Sequence, residues 1–295
     1  MTDATAPLSL NTGALVPRLG FGTWQIPDDE VGELVQNAIA GGYRHIDTAS
    51  GYANERGVGR GIAASHVGRD ELFVTTKLNN PDQGHDRTLA AIDRSLELLG
   101  LDHVDLYLIH WPLQDDERLL STWSAFEEIL ASGRARAIGV SNFGTRHLEL
   151  LAGHSDVVPA VNQIELHPGF PQTELRAYHD AHGIITTSWS PLGGTSGSGW
   201  GSESRPNTVL TDPVITGIAD AHGVTPAQAV IRWHLQHDLV VIPKSRSAQR
   251  IAENADVAGF ALTDAEMAAI DGLSGPGRVG ADPDTADFGA RSDWR

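Results

Sequence analysis

Four side chains in the first 110 residues have types and spacing suited to protonating a carbonyl oxygen: Asp47, Tyr52, Lys77 and His110. In the stretch HIDTASGYANE an apolar, strand-like run ends at Asp47, and a lone tyrosine, Tyr52, follows it. A phenol with a pKa of ~10 is a feeble acid at neutral pH. A nearby ammonium favours the phenolate, and a carboxylate paired with that ammonium keeps it fixed and charged when buried. Asp47, Lys77 and Tyr52 therefore read as one tuned proton donor, with Lys77 making the phenol more acidic. His110 would hydrogen-bond the carbonyl oxygen held by the tyrosine, so the assembly protonates an oxygen as negative charge develops on it. Hydride delivery to the carbonyl carbon is beyond any side chain and requires a reduced nicotinamide. Singly, each residue has a plain structural reading: Asp47 caps a turn, Lys77 snorkels, His110 is a satisfied core histidine. Their joint placement at the ends of successive strands is what those readings explain poorly.

The elements that must position these groups alternate between strand-like and helical patterns. Strands are expected within residues 19–24, 43–49, 71–78, 104–110, 135–142, 159–166, 183–190 and 239–245. Several are continuously apolar, as strands buried on both faces are. Between them, Val31, Leu34, Val35, Ala38 and Ile39 recur at helical spacing, as do Leu89, Ile92, Leu96 and Leu99, and Leu119, Trp123, Phe126 and Leu130. Asp212-Pro213 and Thr225-Pro226 mark helix starts, Thr225-x-x-Gln228 and Thr263-x-x-Glu266 read as capping boxes, and Gly100, Gly133, Gly183 and Gly223 as helix stops. Eight such units in 295 residues predict an α/β fold. The form is a (β/α)8 TIM barrel, one domain over 1–295, with an N-terminal β-hairpin and long substrate loops at the C-terminal face. A doubly wound sheet would normally bring G-x-G-x-x-G early in the chain. The nearest match, GVGRGI at 57–62, has the wrong spacing inside a helical stretch, and its glycines read as loop and packing residues. Residues 192–210 and 274–295 break the rhythm and read as lids.

Composition narrows the partners. With 21 basic against 38 acidic residues the net charge is −17, which repels nucleic acid. An acidic chain that binds phosphate must collect local positive charge somewhere. The absence of cysteine excludes disulfides, thiolate nucleophiles and Cys-based metal sites. No apolar run approaches the ~20 residues that span a bilayer, and the N-terminus lacks a secretory pattern. A cytoplasmic, soluble monomer with no membrane partner is expected. Thirteen histidines invite a metal, yet no H-E-x-x-H occurs and no metal is expected. His66, His85, His154, His179 and His237 fall on predicted surfaces. There is no G-x-S-x-G to support a hydrolase.

HIDTASGYANE, TTKL, LIHWP, GVSN and IPKS, in this order and at these intervals, closely resemble the aldo-keto reductases, from GFGTW to the final helix. Within the family the chain looks most like the bacterial 2,5-diketo-D-gluconate reductase-like branch. The resemblance implies a catalytic tetrad of Asp47, Tyr52, Lys77 and His110, and NADPH/NADP+ bound extended, without a Rossmann fold. By the same resemblance Ser141, Asn142 and Gln163 hold the nicotinamide carboxamide, and the ring stacks on Trp189. Lys244, Ser245 and Arg250 contact the 2′-phosphate, and Glu253 and Asn254 lie near the adenine. The residues carry their own logic here. Lys244, Arg246 and Arg250 crowd a helix start whose cap is Ser245 or Ser247, and free N–H groups with nearby cations bind anions. Arg246 departs from the small or apolar residue of many relatives; it either strengthens NADPH preference or points to solvent.

Trp24 and Trp111 flank the tetrad as walls of the substrate pocket, with Trp200 and Trp294 in the two lids as weaker candidates. The resulting expectation is NADPH-dependent reduction of a small-molecule carbonyl, an aldehyde, ketone, keto-sugar or dicarbonyl, with Tyr52 as general acid. Two other classes compete: a non-catalytic NADPH-binding sensor or regulatory subunit on the same fold, and a barrel lyase or isomerase using Lys77 as a Schiff base.

Overall fold

The alternation of buried strands and amphipathic helices covers its apolar faces here by curling the strands into a barrel inside a ring of helices. The computed structural model describes residues 4–194, 207–275, 277–286 and 288. Its barrel strands are β1 (Gly20–Gly22), β2 (His45–Asp47), β3 (Phe73–Leu78), β4 (Leu106–Ile109), β5 (Ile138–Ser141), β6 (Val161–Glu165), β7 (Ile185–Trp189) and β8 (Val240–Val241). Each falls inside an expected segment. All seven neighbouring pairs are parallel. A parallel bridge between Leu19 and Val241, with the Val241 amide donating to the Arg18 carbonyl at 2.7 Å, brings the first and last strands together. The (β/α)8 TIM barrel expected from the sequence is the fold found.

Every residue of β3, β4, β5 and β6 is buried, so these strands are gripped on both faces. The N-terminal hairpin pairs Leu8–Ser9 with Leu15–Val16 antiparallel. Leu10 and Val16 pack against Phe73, Leu106, Ala137, Ala160 and Val240, which closes the end of the barrel where the strands begin. That leaves the other end for chemistry.

The helices are α1 (Asp28–Ala40), α2 (Glu55–Ala63), α3 (His85–Leu99), α4 (Asp116–Ser132), α5 (Thr145–Ala152), α6 (Thr173–His182), α7 (Pro213–His222), α8 (Pro226–Gln236), α9 (Ala248–Ala255) and α10 (Asp264–Asp271). Both capping boxes form, and Gly100, Gly133, Gly183 and Gly223 take the left-handed conformation that ends a helix. The glycines of GVGRGI lie within α2 and serve packing. A Cβ at Gly57 would stand 2.2 Å from the Asp28 carbonyl oxygen of the α1 first turn, one at Gly59 2.3 Å from the Leu99 carbonyl oxygen, and one at Gly61 2.6 Å from the Gly32 carbonyl oxygen. Three missing methyl groups let α2 touch α1 and α3 backbone to backbone.

One histidine expected on the surface is in the core. His179 on α6 is fully buried, where Asn162 Nδ2 reaches its Nε2 at 2.9 Å and Thr186 Oγ1 lies 2.8 Å from its Nδ1. Burial pushes its pKa down to about 4, so it is a neutral core group. Among the described residues no helix is long and apolar enough to cross a membrane. Trp200, Trp294 and residues 195–206 of the first expected lid lie outside the described residues.

Candidate active site

Asp47 ends β2, Lys77 lies near the end of β3, and His110 follows β4 directly, so three adjacent strands deliver three of the groups to one rim. Tyr52 arrives on a short 3-10 turn, Ser50–Tyr52, closed by Ala53 in the left-handed conformation. Ser50 Oγ donates to the Lys77 carbonyl at 2.9 Å, which ties that turn to β3.

Lys77 is fully buried. Its ammonium donates to Asp47 Oδ1 at 2.5 Å, to the Thr48 carbonyl at 2.9 Å and to the Tyr52 hydroxyl at 3.5 Å. Three partners use its three protons, and a Schiff base would have to break all of them. Burial pulls the Lys77 pKa down and Asp47 pushes it back up. The phenol behaves otherwise than the sequence reading held. Burial first, then the Asp47 carboxylate, push Tyr52 well above the ordinary tyrosine value. The Lys77 charge is already matched by Asp47, while the phenol has lost its water. Tyr52 therefore rests fully protonated, a loaded donor with no acidity beyond an ordinary phenol's. Its ring meets the His110 ring edge to face, with centroids 5.5 Å apart. Burial, then Lys77, hold His110 well below the usual histidine range, so it is a neutral imidazole able to donate one hydrogen bond.

The residues expected to hold the carboxamide form a hydrogen-bonded chain that ends on this group. Trp189 Nε1 donates to Asn142 Oδ1 at 2.8 Å, and Asn142 Nδ2 to Ser141 Oγ at 3.1 Å and to the His110 carbonyl at 2.9 Å. Ser141 Oγ donates to the Gln163 carbonyl at 2.7 Å, and Gln163 Nε2 to Asp47 Oδ2 at 2.8 Å. Asn142 takes a left-handed backbone, φ 64°, which asparagine tolerates better than most residues and which aims its amide back at β4. Both oxygens of Asp47 are thereby occupied, one by an ammonium and one by an amide.

One cavity of about 790 Å³ connects these groups to the far cluster. Its lining includes Trp24, Asp47, Tyr52, His110, Trp111, Ser141, Asn142, Gln163 and Trp189 at one end, and Lys244, Ser245, Arg246, Arg250, Glu253 and Asn254 at the other. Of the tetrad and the described cofactor and substrate candidates, only Lys77 is absent from the wall, because it sits behind Tyr52 and Asp47. Ser247, rather than Ser245, caps α9, its Oγ accepting from the Arg250 amide at 3.4 Å, and Ser245 Oγ accepts from the Ser247 amide at 3.1 Å. Burial lowers the Lys244 pKa, with Arg246 and Arg250 adding to the effect. Three cations crowding one helix start on so acidic a protein favour an anion there. Arg246 is at the rim, its guanidinium paired with the Glu30 carboxylate of α1 at 2.5 Å. Glu253 Oε1 accepts from Gln249 Nε2 at 2.7 Å.

Sequence reasoning missed several contributors. Asn54 donates to the Thr23 and Ile26 carbonyls, both at 2.9 Å, and accepts from Thr48 Oγ1, clamping the Tyr52 loop onto the loop after β1. Phe288 packs edge-on against Trp111, centroids 4.8 Å apart, and Val279, Gly280 and Ala281 wall the cavity. Phe288 and Trp294 are the two aromatics of an otherwise small and polar tail, and that was the available signal for Phe288.

This cavity lies at the C-terminal ends of the strands of a parallel eight-stranded barrel, the architecture of a barrel enzyme, and residues 18–274 match the model of the Aldo/keto reductase family. The chain belongs to that family and is an NADP(H)-dependent oxidoreductase. It is 52% identical to morphine 6-dehydrogenase of Pseudomonas putida, over 98% of this chain and 99% of that one. It is 45% identical to glyoxal reductase of Bacillus subtilis, over 96% and 98%. A crystal structure of a Gox0644 mutant in complex with NADPH superposes with a TM-score of 0.87 at 47% identity, covering 96% of this chain and 99% of the other.

Proposed function

We propose that the protein reduces the carbonyl of small aldehydes and ketones to an alcohol, with Tyr52 as the proton donor. The observation that carries this reading is the Tyr52 hydroxyl at 3.5 Å from an ammonium that Asp47 holds at 2.5 Å, at the wall of the one cavity that runs on to the cation cluster.

The residues present fit an extended anionic dinucleotide: cations and free helix N–H groups at one end, amides and an indole at the other. Lys244, Arg250 and Ser245 would hold its 2′-phosphate, with Arg246 exchanging Glu30 for phosphate. Glu253 and Asn254 would border the adenine. Ser141, Asn142 and Gln163 would orient the carboxamide and Trp189 would back the ring. The bound cofactor supplies hydride. Everything else is protein work. His110 and Tyr52 donate hydrogen bonds to the carbonyl oxygen, which polarises the carbon. As charge builds on that oxygen, Tyr52 releases its proton, and the Lys77 ammonium stabilises the phenolate left behind. Lys77 thus acts after transfer, which reconciles its position with a resting phenol that burial keeps protonated.

Trp24 and Trp111, the latter packed against Phe288, give the substrate end an aromatic wall, suited to a carbonyl on a flat or apolar body. The relatives named above act on a morphinan and on a dicarbonyl, so both chemistries belong in the panel, with keto-sugars. A monomer working as one domain in the cytoplasm completes the reading. Replacing Tyr52→Phe tests it. NADPH oxidation with a reactive aldehyde is expected to fall ~10²–10⁴-fold while NADPH still quenches protein fluorescence. Near wild-type turnover in that variant rejects the assignment.

A further inference from the structure

Glu165 ends β6, and its side chain is fully buried. Within the described residues no lysine or arginine pairs with it. Its oxygens instead take backbone N–H groups from a segment more than a hundred residues away. Oε1 accepts from the Val279 amide at 2.6 Å and Oε2 from the Gly280 amide at 2.9 Å, while His167 Nε2 lies 3.4 Å from Oε1. Two successive amides converging on one carboxylate make a fork that a single charged group satisfies well. A buried charge without such donors would be costly, so carboxylate and segment each require the other.

The segment it grips is the roof of the reacting end. Val279, Gly280 and Ala281 wall the cavity that contains Tyr52 and His110. Gly280 lies so close to the indole of Trp189 that a Cβ there would stand 2.5 Å from Cη2, and 3.0 Å from Glu165 Oε2. On either side the tail is held more lightly. Gln114 Nε2 donates to the Pro283 carbonyl at 3.2 Å, Phe288 rests on Trp111, and the Gly277 amide reaches the Gly169 carbonyl at 3.3 Å.

We propose that Glu165 is a positioning residue for substrate: its carboxylate clamps the Val279 and Gly280 amides, fixing the height of the roof and seating Gly280 on Trp189. The proposal rests on the reading that carbonyls react beside Tyr52. The clamp touches neither the reacting atoms nor the cation cluster, so it acts on capture of the carbonyl substrate. A fastened roof confines a small carbonyl beside Tyr52. A released one loses that confinement and gives bulky ketones room.

The test uses the full chain carrying Glu165→Gln. The amide side chain has one acceptor oxygen and turns an NH₂ group towards the other backbone donor. Hydrogen exchange at Val279 and Gly280 is expected to speed up about tenfold or more, and KM for a small aldehyde to rise about tenfold with kcat within about threefold. Binding of 2′,5′-ADP at the cation cluster is expected to stay unchanged. Val279→Pro deletes one donor without touching the carboxylate, and its KM effect is expected not to add to that of Glu165→Gln. Glu165→Asp, which keeps the charge, is expected to recover part of the loss. Unchanged exchange at the two amides overturns the proposal, as do additive KM effects. If Glu165→Gln does not fold, Val279→Pro alone decides: a KM equal to wild type refutes the clamp. Amide exchange does not depend on turnover, so it judges the clamp even if Tyr52→Phe proves active.

Discussion

Replacing Asp47→Asn probes the buried ion pair behind the phenol. Lys77 and Asp47 are 0% and 2% exposed, so the ammonium has no water to fall back on. The amide of the variant can accept from Lys77 or spare Gln163 a donor-to-donor clash, but it supplies no charge. Breaking a buried pair by removing one partner costs about 3–5 kcal/mol. A second route gives a similar figure. If Lys77 sheds its proton to remain buried at pH 7, that lies about 3.4 units below an unfolded pKa of ~10.4, a cost of about 4.6 kcal/mol. The sign with pH follows from proton counting. Lys77 then binds a proton in the unfolded state and none in the folded state, so stability rises with pH, and the deficit against wild type shrinks between about pH 7 and 10. Urea unfolding at pH 7 and at pH 9.5 measures both quantities. A deficit below about 1 kcal/mol at pH 7, or one that grows with pH, would refute the reasoning.

Other consequences can be checked separately. Arg250→Ala is expected to weaken NADPH binding by about 1.5–3 kcal/mol and leave NADH nearly unaffected, measured by fluorescence titration with both cofactors; equal losses would contradict a 2′-phosphate contact. Gly59→Ala forces α2 away from the Leu99 carbonyl on α3, and a loss of about 1–3 kcal/mol in urea unfolding is expected with kcat unchanged. His179 and His234 are buried with pKa values lowered to about 4. Each folded-state pKa lies below the unfolded value, so stability is full above about pH 6.5 and falls as pH drops towards 4, by up to about 3 kcal/mol per histidine. Urea midpoints that stay flat from pH 7 to pH 5 would contradict this.

The barrel was legible because its signals are local. Some buried strands, such as Leu106–Ile109, are continuous apolar runs, and four helices stop at a glycine that turns left-handed: Gly100, Gly133, Gly183 and Gly223. The grouping of Asp47, Tyr52, Lys77 and His110 was legible because titratable groups replaced turn residues at strand ends. Four features were not, and each depends on contacts distant in sequence. The resting pKa of Tyr52 is raised first by burial and then by Asp47, and burial is something spacing cannot reveal. His179 has a surface residue's type, and only the pairing of Asn162 with Thr186 across β6 and β7 shows that α6 turns it inwards. Arg246 meets Glu30 from the other end of the chain. Glu165 stood at a strand end in view, but its partners are backbone amides, which carry no residue-type signature.

The central claim is that one phenol, backed by a buried ammonium, delivers the proton to the carbonyl oxygen. A crystal structure of the protein with NADP+ and a bound alcohol product tests it most directly. The account predicts the alcohol oxygen within ~3.2 Å of the Tyr52 hydroxyl and within hydrogen-bond reach of His110, with its carbon facing the nicotinamide. An alcohol oxygen held by other groups, with Tyr52 turned away or the dinucleotide lying outside the cavity, would contradict it.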